Sequence, residues 1–270
     1  MPTLVAFHAH PDDECITTGG TLAKAVDDGH RVVIVYATRG EVGEAPDGIL
    51  APGESLVERR HREVMQSTEA LGVHRVEFLG YRDSGMQGTP DNDHPESFWR
   101  ADLDEAAQRL AAILRYEAAD VLLAYDVNGN YGHPDHVQVH RVGVRAAELA
   151  ATPQVLEATI SRDGIRAFIE QMVTSGGASW DDVPDLDDPD LVFGMPDEVI
   201  TTRVDVRPWA ERKLASMRAH ETQVGDLGPF LALPVEVFRE AMGTEFFIRR
   251  GVPSHHRDDD IFAGLAASGR

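Results

Sequence analysis

The sequence predicts an α/β protein with a Rossmann-like, doubly wound sheet, mostly parallel, and a more irregular C-terminal part. Three observations carry that expectation. Strand-like runs recur at Leu4–Phe7, Arg31–Thr38, Val76–Leu79 and Val121–Tyr125, apolar enough for strands buried on both faces. Stretches of helical spacing separate them in units of ~25–35 residues, the alternation that builds a parallel sheet. Polar turns rich in potential ligands follow the strand ends, where open α/β sheets bind their ligands.

Each element has a local reason. Pro11 stops the first strand, because it has no N–H for a ladder and biases His10 toward extended backbone. Thr17-Thr18-Gly19-Gly20-Thr21 leads into a helix over Leu22–Asp28, which Gly29 ends. The two glycines bring backbone N–H groups to a ligand or serve tight packing. Val42–Gly53, rich in Gly, Pro and acids, suits a mobile rim. Glu54–Leu71 is a helix with Leu56, Met65, Thr68, Ala70 and Leu71 available to its buried side, closed by Gly72. Gly80–Met86 is a polar turn after the third strand, and Gln87–Trp99, without periodicity, is a loop.

In Ala101–Ala118, Leu103, Ala106, Ala107, Leu110, Ile113 and Leu114 recur at helical spacing. Pro134 is placed to open a helix running to Ala150. The signals weaken after that. Strands are expected at Val155–Ser161, Ile200–Val206 and Phe246–Arg249, and helices at Ile165–Val173, Trp209–His220 and Pro234–Met242. Trp180–Asp190 is an acidic loop with two prolines, expected to be mobile, and the tail after Gly251 looks loose. Residues 1–270 read as a single domain, with 1–150 as catalytic core and 151–270 completing sheet and pocket. The loops 42–53, 87–99 and 175–196 would shape specificity.

Charge narrows the partners. Against 25 basic residues stand 46 acidic ones, a net charge of -21, which argues against nucleic acid or an anionic membrane surface. The lone Cys15 excludes an intramolecular disulfide and reads as packing rather than as a ligand. Met1-Pro2-Thr3 leads directly into a strand without a basic leader, and no apolar run approaches the ~20 residues of a membrane span. The expectation is a soluble, cytoplasmic protein acting on a small molecule. Oligomeric state, a homo-oligomer included, stays open.

Two clusters carry the chemistry. The first is His10-Pro11-Asp12-Asp13-Glu14, just past the first strand. The second follows the fourth strand: Asp126, Asn128, Gly129, Asn130, then Tyr131-Gly132-His133-Pro134-Asp135-His136. His, Asp and His from two strand ends are what a catalytic zinc site requires, with a position left open for water. His8 shares a face with His10 by strand alternation and reads as a satisfied core histidine. His140, four residues after His136, makes a rival metal pair that would leave the first cluster without a partner.

Together these two motifs resemble the PIG-L/LmbE-like family of zinc-dependent N-deacetylases, over roughly residues 1–150. Family members remove acyl groups from N-acetylglucosamine-containing substrates; they include the mycothiol and bacillithiol deacetylases and the mycothiol S-conjugate amidase. The resemblance implies one Zn²⁺, or another divalent ion such as Fe²⁺, on His10, Asp13 and His136. It leaves Asp12 as general base and acid. His133, as imidazolium, would stabilise the oxyanion, with Asp135 orienting it or another histidine. Tyr131 adds a phenolic hydrogen bond or lines the pocket. Arg60 and Asp83 stand where mycothiol-type enzymes hold sugar hydroxyls, and Glu41 lies at a third strand end. His220, in a His-x-x-Gln stretch similar to one late in the family, is a weaker pocket candidate, and Glu14 is expected to hold local backbone N–H groups. An S-conjugate amidase and a catalytically idle metal-binding scaffold are the alternatives.

Overall fold

The structure is a computed structural model and describes residues 1–174, 183, 185, 186, 188 and 191–265. In chain order the elements are β1 (Thr3–His8), α1 (Asp13–Thr17), α2 (Gly19–Asp27), β2 (Arg31–Tyr36), α3 (Leu56–Leu71), β3 (Arg75–Phe78) and α4 (Leu103–Tyr116). They continue with β4 (Val121–Tyr125), the single turn α5 (Gly129–Gly132), α6 (Pro134–Ala150), β5 (Gln154–Thr159) and α7 (Arg162–Thr174). The last are β6 (Thr202–Asp205), α8 (Ala210–Ala219), α9 (Val224–Leu231), α10 (Val235–Ala241) and β7 (Thr244–Arg249).

Among the described residues seven strands form one sheet in the order β3-β2-β1-β4-β5-β7-β6. The first five are mutually parallel; β7 runs antiparallel to β5, and β6 antiparallel to β7. Every residue of β1 and of β4 is buried, as their unbroken apolar sequence requires. Burying each Val, Leu or Phe there is worth about 1.5–3 kcal/mol, which makes these strands the core's centre. From β1 the chain winds outward to β2 and β3, then returns to β4 on the other side. The order therefore reverses between β1 and β4, whose carboxyl ends flank the crevice where such sheets bind ligands.

Helices α4 and α6 pack together, and α2, α3 and α8 form a second group, as a doubly wound sheet requires. Gly143 lets α6 approach β4 closely: a Cβ there would lie 2.9 Å from Ala124 Cβ. The start of α3 is fixed by a reciprocal cap between Ser55 and Glu58, and Gly72 in the left-handed conformation ends it.

Several expectations are corrected. Helix α2 begins at Gly19, so the glycine pair lies inside it, and its first N–H groups are not open to a ligand. Glu245 of β7 accepts from Gly20 N–H at 2.9 Å and Thr21 N–H at 2.8 Å, and is paired with buried Lys213 at 2.7 Å. Packing is the reason for Gly20, whose Cβ would meet Val206 at 2.4 Å. Helices α1 and α9 and the single turn α5 lie outside the expected elements. The tail expected to be loose after Gly251 packs back: Ile261 is buried, and Phe262 stacks on His30 with ring centroids 3.9 Å apart. Val42–Gly53 carries no helix or strand. Most of the acidic stretch Trp180–Asp190 lies outside the described residues. No described helix is long and apolar enough to cross a membrane.

Candidate active site

The first turn follows β1 directly. Asp12 sits at φ 107°, ψ −30°, a positive-φ conformation for a non-glycine residue that costs of order 1–3 kcal/mol unless its surroundings fix it. Arg60 of α3 reaches under the turn, donating to the Pro11 carbonyl at 2.6 Å and the Gly40 carbonyl at 2.8 Å, with Asp12 Oδ2 at 3.4 Å. Asp13 opens α1, and its Oδ2 accepts the His10 N–H at 2.7 Å.

The second turn is organised by Asp126 at the end of β4. Its Oδ1 accepts the N–H groups of Asn128 and Asn130 at 2.9 and 3.0 Å, while Thr159 donates to Oδ2 at 2.5 Å. Gly129, at φ 60°, has no alternative, because a Cβ would lie 2.6 Å from the Val137 nitrogen. His133 caps α6, accepting the Asp135 N–H on Nδ1 at 3.1 Å, and Pro134 fills the first helical position.

The two turns meet at the β1/β4 crevice. Asp13 lies between two imidazoles, with Oδ2 3.6 Å from His10 Nδ1 and Oδ1 3.3 Å from His136 Nε2. Ligand atoms ~2.1 Å from a tetrahedral ion stand roughly 3.4 Å apart, the scale of both spacings, with one carboxylate oxygen turned to each ring. On its other edge, His10 Nε2 meets Asp135 Oδ2 at 3.1 Å and Asp83 Oδ1 at 3.5 Å. A histidine whose far N–H rests on a carboxylate, leaving the near nitrogen for a cation, is a common second-layer arrangement of metal sites. Ring nitrogens of His10, His133 and His136 also lie within 4.8 Å of one another.

Electrostatics favour a cation here. Asp12, Asp13, Glu14, Asp83 and Asp135 are all buried, and buried charge requires a partner. Burial opposes the charge of Asp13, but His136 and His10 outweigh it and hold its carboxyl well below the usual range. Burial likewise opposes charge on Asp83, yet His10 keeps that carboxyl low. Asp12 behaves differently: burial pushes it up to about 7, with Arg60 pulling down and Asp13 adding to the rise. Burial, with His10 and His136 nearby, pushes His133 down to about 3.

Most expected residues converge, but some in other roles. With Nδ1 accepting the Asp135 N–H, burial and the neighbouring His10 and His136 favour a neutral His133 with its proton on Nε2, in place of the expected imidazolium. Asp135 meets the other histidine its expected role allowed, His10, and is itself held by the Ser84 N–H at 2.9 Å and the Ser84 hydroxyl. The Tyr131 hydroxyl lies 3.4 Å from His136 Nε2, with the residue 44% exposed at the mouth. Arg60 is 3% exposed, and its guanidinium clamps the Asp12 turn. Asp83 is buried against His10 and accepts the Gly85 N–H at 2.8 Å. Glu41 is half-buried on the turn after β2, accepting the Arg39 N–H at 3.2 Å.

The secondary histidines also resolve. His8 is a satisfied core group, with Nδ1 2.9 Å from the Tyr125 hydroxyl and Nε2 3.3 Å from the Thr18 hydroxyl. His140 turns to the Tyr125 carbonyl at 3.1 Å, away from the centre, so the rival pair fails. His220 is fully buried and pairs with Glu14 at 2.6 Å. Glu14 accepts the Asp12 N–H at 2.9 Å, the local backbone role expected of it. Donor atoms of Glu14, Cys15 and His220 also converge, but Glu14 and His220 pair with each other and the Cys15 thiol donates to the Asp12 carbonyl at 2.8 Å. Sequence reasoning missed Ser84, Tyr125 and the role of Asp126; an isolated Ser in a turn or Tyr at a strand end gives no local signal of what it will hold.

Comparison with known proteins agrees with this geometry. A 1D-myo-inositol 2-acetamido-2-deoxy-α-D-glucopyranoside deacetylase of Acidothermus cellulolyticus is 43% identical over 97% of this chain and 95% of its own. Its counterpart in Geodermatophilus obscurus is 41% identical over 97% of each chain. A conserved protein of Thermus thermophilus shares the fold, with a TM-score of 0.59 and 21% identity over 93% of this chain and 95% of its own. The family model described as GlcNAc-PI de-N-acetylase, PIG-L, matches residues 5–147, just over half of the chain. The chain, with both of its ligand-bearing turns inside that match, belongs to the PIG-L family.

Proposed function

We propose that this protein is a metal-dependent deacetylase that hydrolyses the acetamide of 1D-myo-inositol 2-acetamido-2-deoxy-α-D-glucopyranoside. The observation that carries the reading is the likeness, at 41–43% identity over nearly the whole chain, to deacetylases of that compound. The buried His10–Asp13–His136 constellation beside Asp12 supports it independently. His10, Asp13 and His136 would hold the ion, taken here as Zn²⁺, with Fe²⁺ the other candidate for this donor set. Such an ion supplies Lewis acidity that polarises the acetyl carbonyl and eases loss of a proton from water.

The chain's own residues do the remaining work. Asp12, whose carboxyl burial pushes up, takes a proton from the attacking water and then delivers it to the departing amine nitrogen. His133 donates its Nε2–H to the carbonyl oxygen as negative charge develops there, and Tyr131 adds a hydroxyl from the mouth. The C–N bond breaks, releasing acetate and the free amino sugar. Asp135 and Asp83 fix His10. Glu41 is the sugar-hydroxyl contact we retain, because the charged groups of Arg60 and Asp83 are committed to the Asp12 turn and to His10.

Asp12→Asn tests the assignment, since Asn keeps the shape and is among the side chains most tolerant of positive φ. The variant is expected to keep its metal and lose ~10²–10⁴-fold in kcat, measured as amine release from this substrate. Loss of metal along with turnover would make Asp12 a ligand and overturn its role as base.

A further inference from the structure

The catalytic turn is held from a distant part of the chain. Asp12 is pinned on both sides of its Cα. Its carbonyl accepts the Cys15 N–H at 3.1 Å and the Cys15 thiol at 2.8 Å, and its N–H donates to Glu14 Oε2 at 2.9 Å. The Cys15 contacts are local to α1 and form with the helix. The Glu14 contact is different, because a carboxylate on a flexible stem holds a neighbour's backbone only if it is itself fixed.

His220 fixes it. Its Nε2 lies 2.6 Å from Glu14 Oε1, with the Ser67 hydroxyl on the same oxygen, and Glu14, His220 and Ser67 are all fully buried. One carboxylate thus joins the two sides: Oε1 faces His220 and Ser67, and Oε2 faces the Asp12 N–H. His220 follows α8, 206 residues from Glu14 and beyond the stretch matched by the family model. Among the described residues its Nδ1 has no hydrogen-bond partner, so the ring's polar contact in this site is the one with Glu14.

We infer that His220 is a positioning residue for the general base: by fixing Glu14 it holds the Asp12 peptide in the left-handed conformation from which the Asp12 carboxylate acts. The inference rests on Asp12 being the base of the proposed deacetylation. His220 touches neither substrate nor the reacting atoms. Its removal therefore acts on kcat, with KM and metal content left alone.

The test uses the full-length, metal-loaded protein as wild type, His220→Ala and His220→Gln. The Gln amide nitrogen stands near the position of the imidazole Nε2 and donates to the same carboxylate. Three quantities are read: metal per chain, kcat and KM for amine release from 1D-myo-inositol 2-acetamido-2-deoxy-α-D-glucopyranoside, and the NMR resonance of the Asp12 amide proton without substrate. His220→Ala is expected to lower kcat ~10–100-fold, the scale of a misplaced catalytic group. KM and metal content stay, and the Asp12 amide proton moves upfield as its bond to Glu14 loosens. His220→Gln restores both kcat and the resonance.

In an Asp12→Asn background His220→Ala should cost nothing further, the signature of two residues acting through one effect. An equal additional loss there, a rise in KM in place of the fall in kcat, loss of metal, or failure of Gln to rescue would each overturn the inference. Should His220→Ala not fold, Ser67→Ala removes the other donor to Glu14 Oε1 and must show the same pattern at smaller size; an unmoved amide resonance and unchanged kcat would overturn it. If the wild type releases no amine from this substrate, the functional reading fails by itself. The substrate-free amide resonance still decides whether His220 governs the Asp12 backbone.

Discussion

The two ends of the sheet do different work. From β3 to β5 the strands are parallel, and the groups with catalytic chemistry gather where the winding reverses, between β1 and β4. Past β5 the sheet turns antiparallel through β7 and β6, and the elements around it bring Lys213, His220 and Glu245 inward. These add no ligand to the centre. They grip the two elements that follow β1: Glu245 takes the first N–H groups of α2, and His220 holds Glu14 at the start of α1. Reactive groups thus come from one region, while their restraint is shared: Arg60 and Asp126 hold the turns from within it, and His220 and Glu245 from the other.

The sharpest way to break that division is to remove a ligand. His136→Ala is expected to release the metal and abolish turnover while the fold persists, measured by metal analysis and circular dichroism. Normal metal binding by this variant would displace His136 from the ligand set. A substitution in the restraining region should do the opposite. Lys213→Ala leaves the buried Glu245 carboxylate without its cation, and breaking such a pair costs about 3–5 kcal/mol. Denaturant unfolding should record that loss, while the folded fraction keeps its metal. Lys213→Met combined with Glu245→Gln should cost less, because no charge is then stranded.

The smallest effect belongs to Glu117, at the end of α4, which has no part in either region's chemistry. The hydrogen bond from Arg31 lowers its carboxyl, burial opposes, and Arg75 adds to the lowering. A carboxyl depressed below its ordinary 4.5 contributes stability that is present above that value and lost as pH falls through the folded one. Glu117→Gln should therefore cost about 1 kcal/mol or less at neutral pH, and the difference from wild type should vanish in acid. A gap that persisted or widened on acidification would reverse the sign and overturn the assignment.

What the sequence revealed follows the same division. The four parallel strands β1 to β4 and helices α3, α4 and α6 are legible because continuous apolar runs and helical periodicity are local signals. The ligand-bearing turns are legible because Pro11 and Pro134 mark where regular structure stops and starts. The strand candidates near β5, β6 and β7 are legible too, but their order and antiparallel pairing are not. Pairing is a contact between segments far apart in sequence, and nothing within one segment encodes it. The hold of Arg60 on the Asp12 turn is hidden for the same reason: in sequence it stands among Glu58, Arg59, Arg62 and Glu63, and only the fold tucks it beneath Pro11. Glu14 has no cation near it in sequence because its partner is His220. The tail after Gly251 lacks periodicity, yet single residues such as Ile261 and Phe262 suffice to anchor it.

The measurement that bears most directly on the whole account is amine release by the purified protein from 1D-myo-inositol 2-acetamido-2-deoxy-α-D-glucopyranoside, with metal content determined before and after chelation. The account predicts one divalent ion per chain, release that stops on chelation, and recovery when Zn²⁺ or Fe²⁺ is returned. A well-folded protein that carries no metal, or one whose turnover is untouched by its removal, would contradict it.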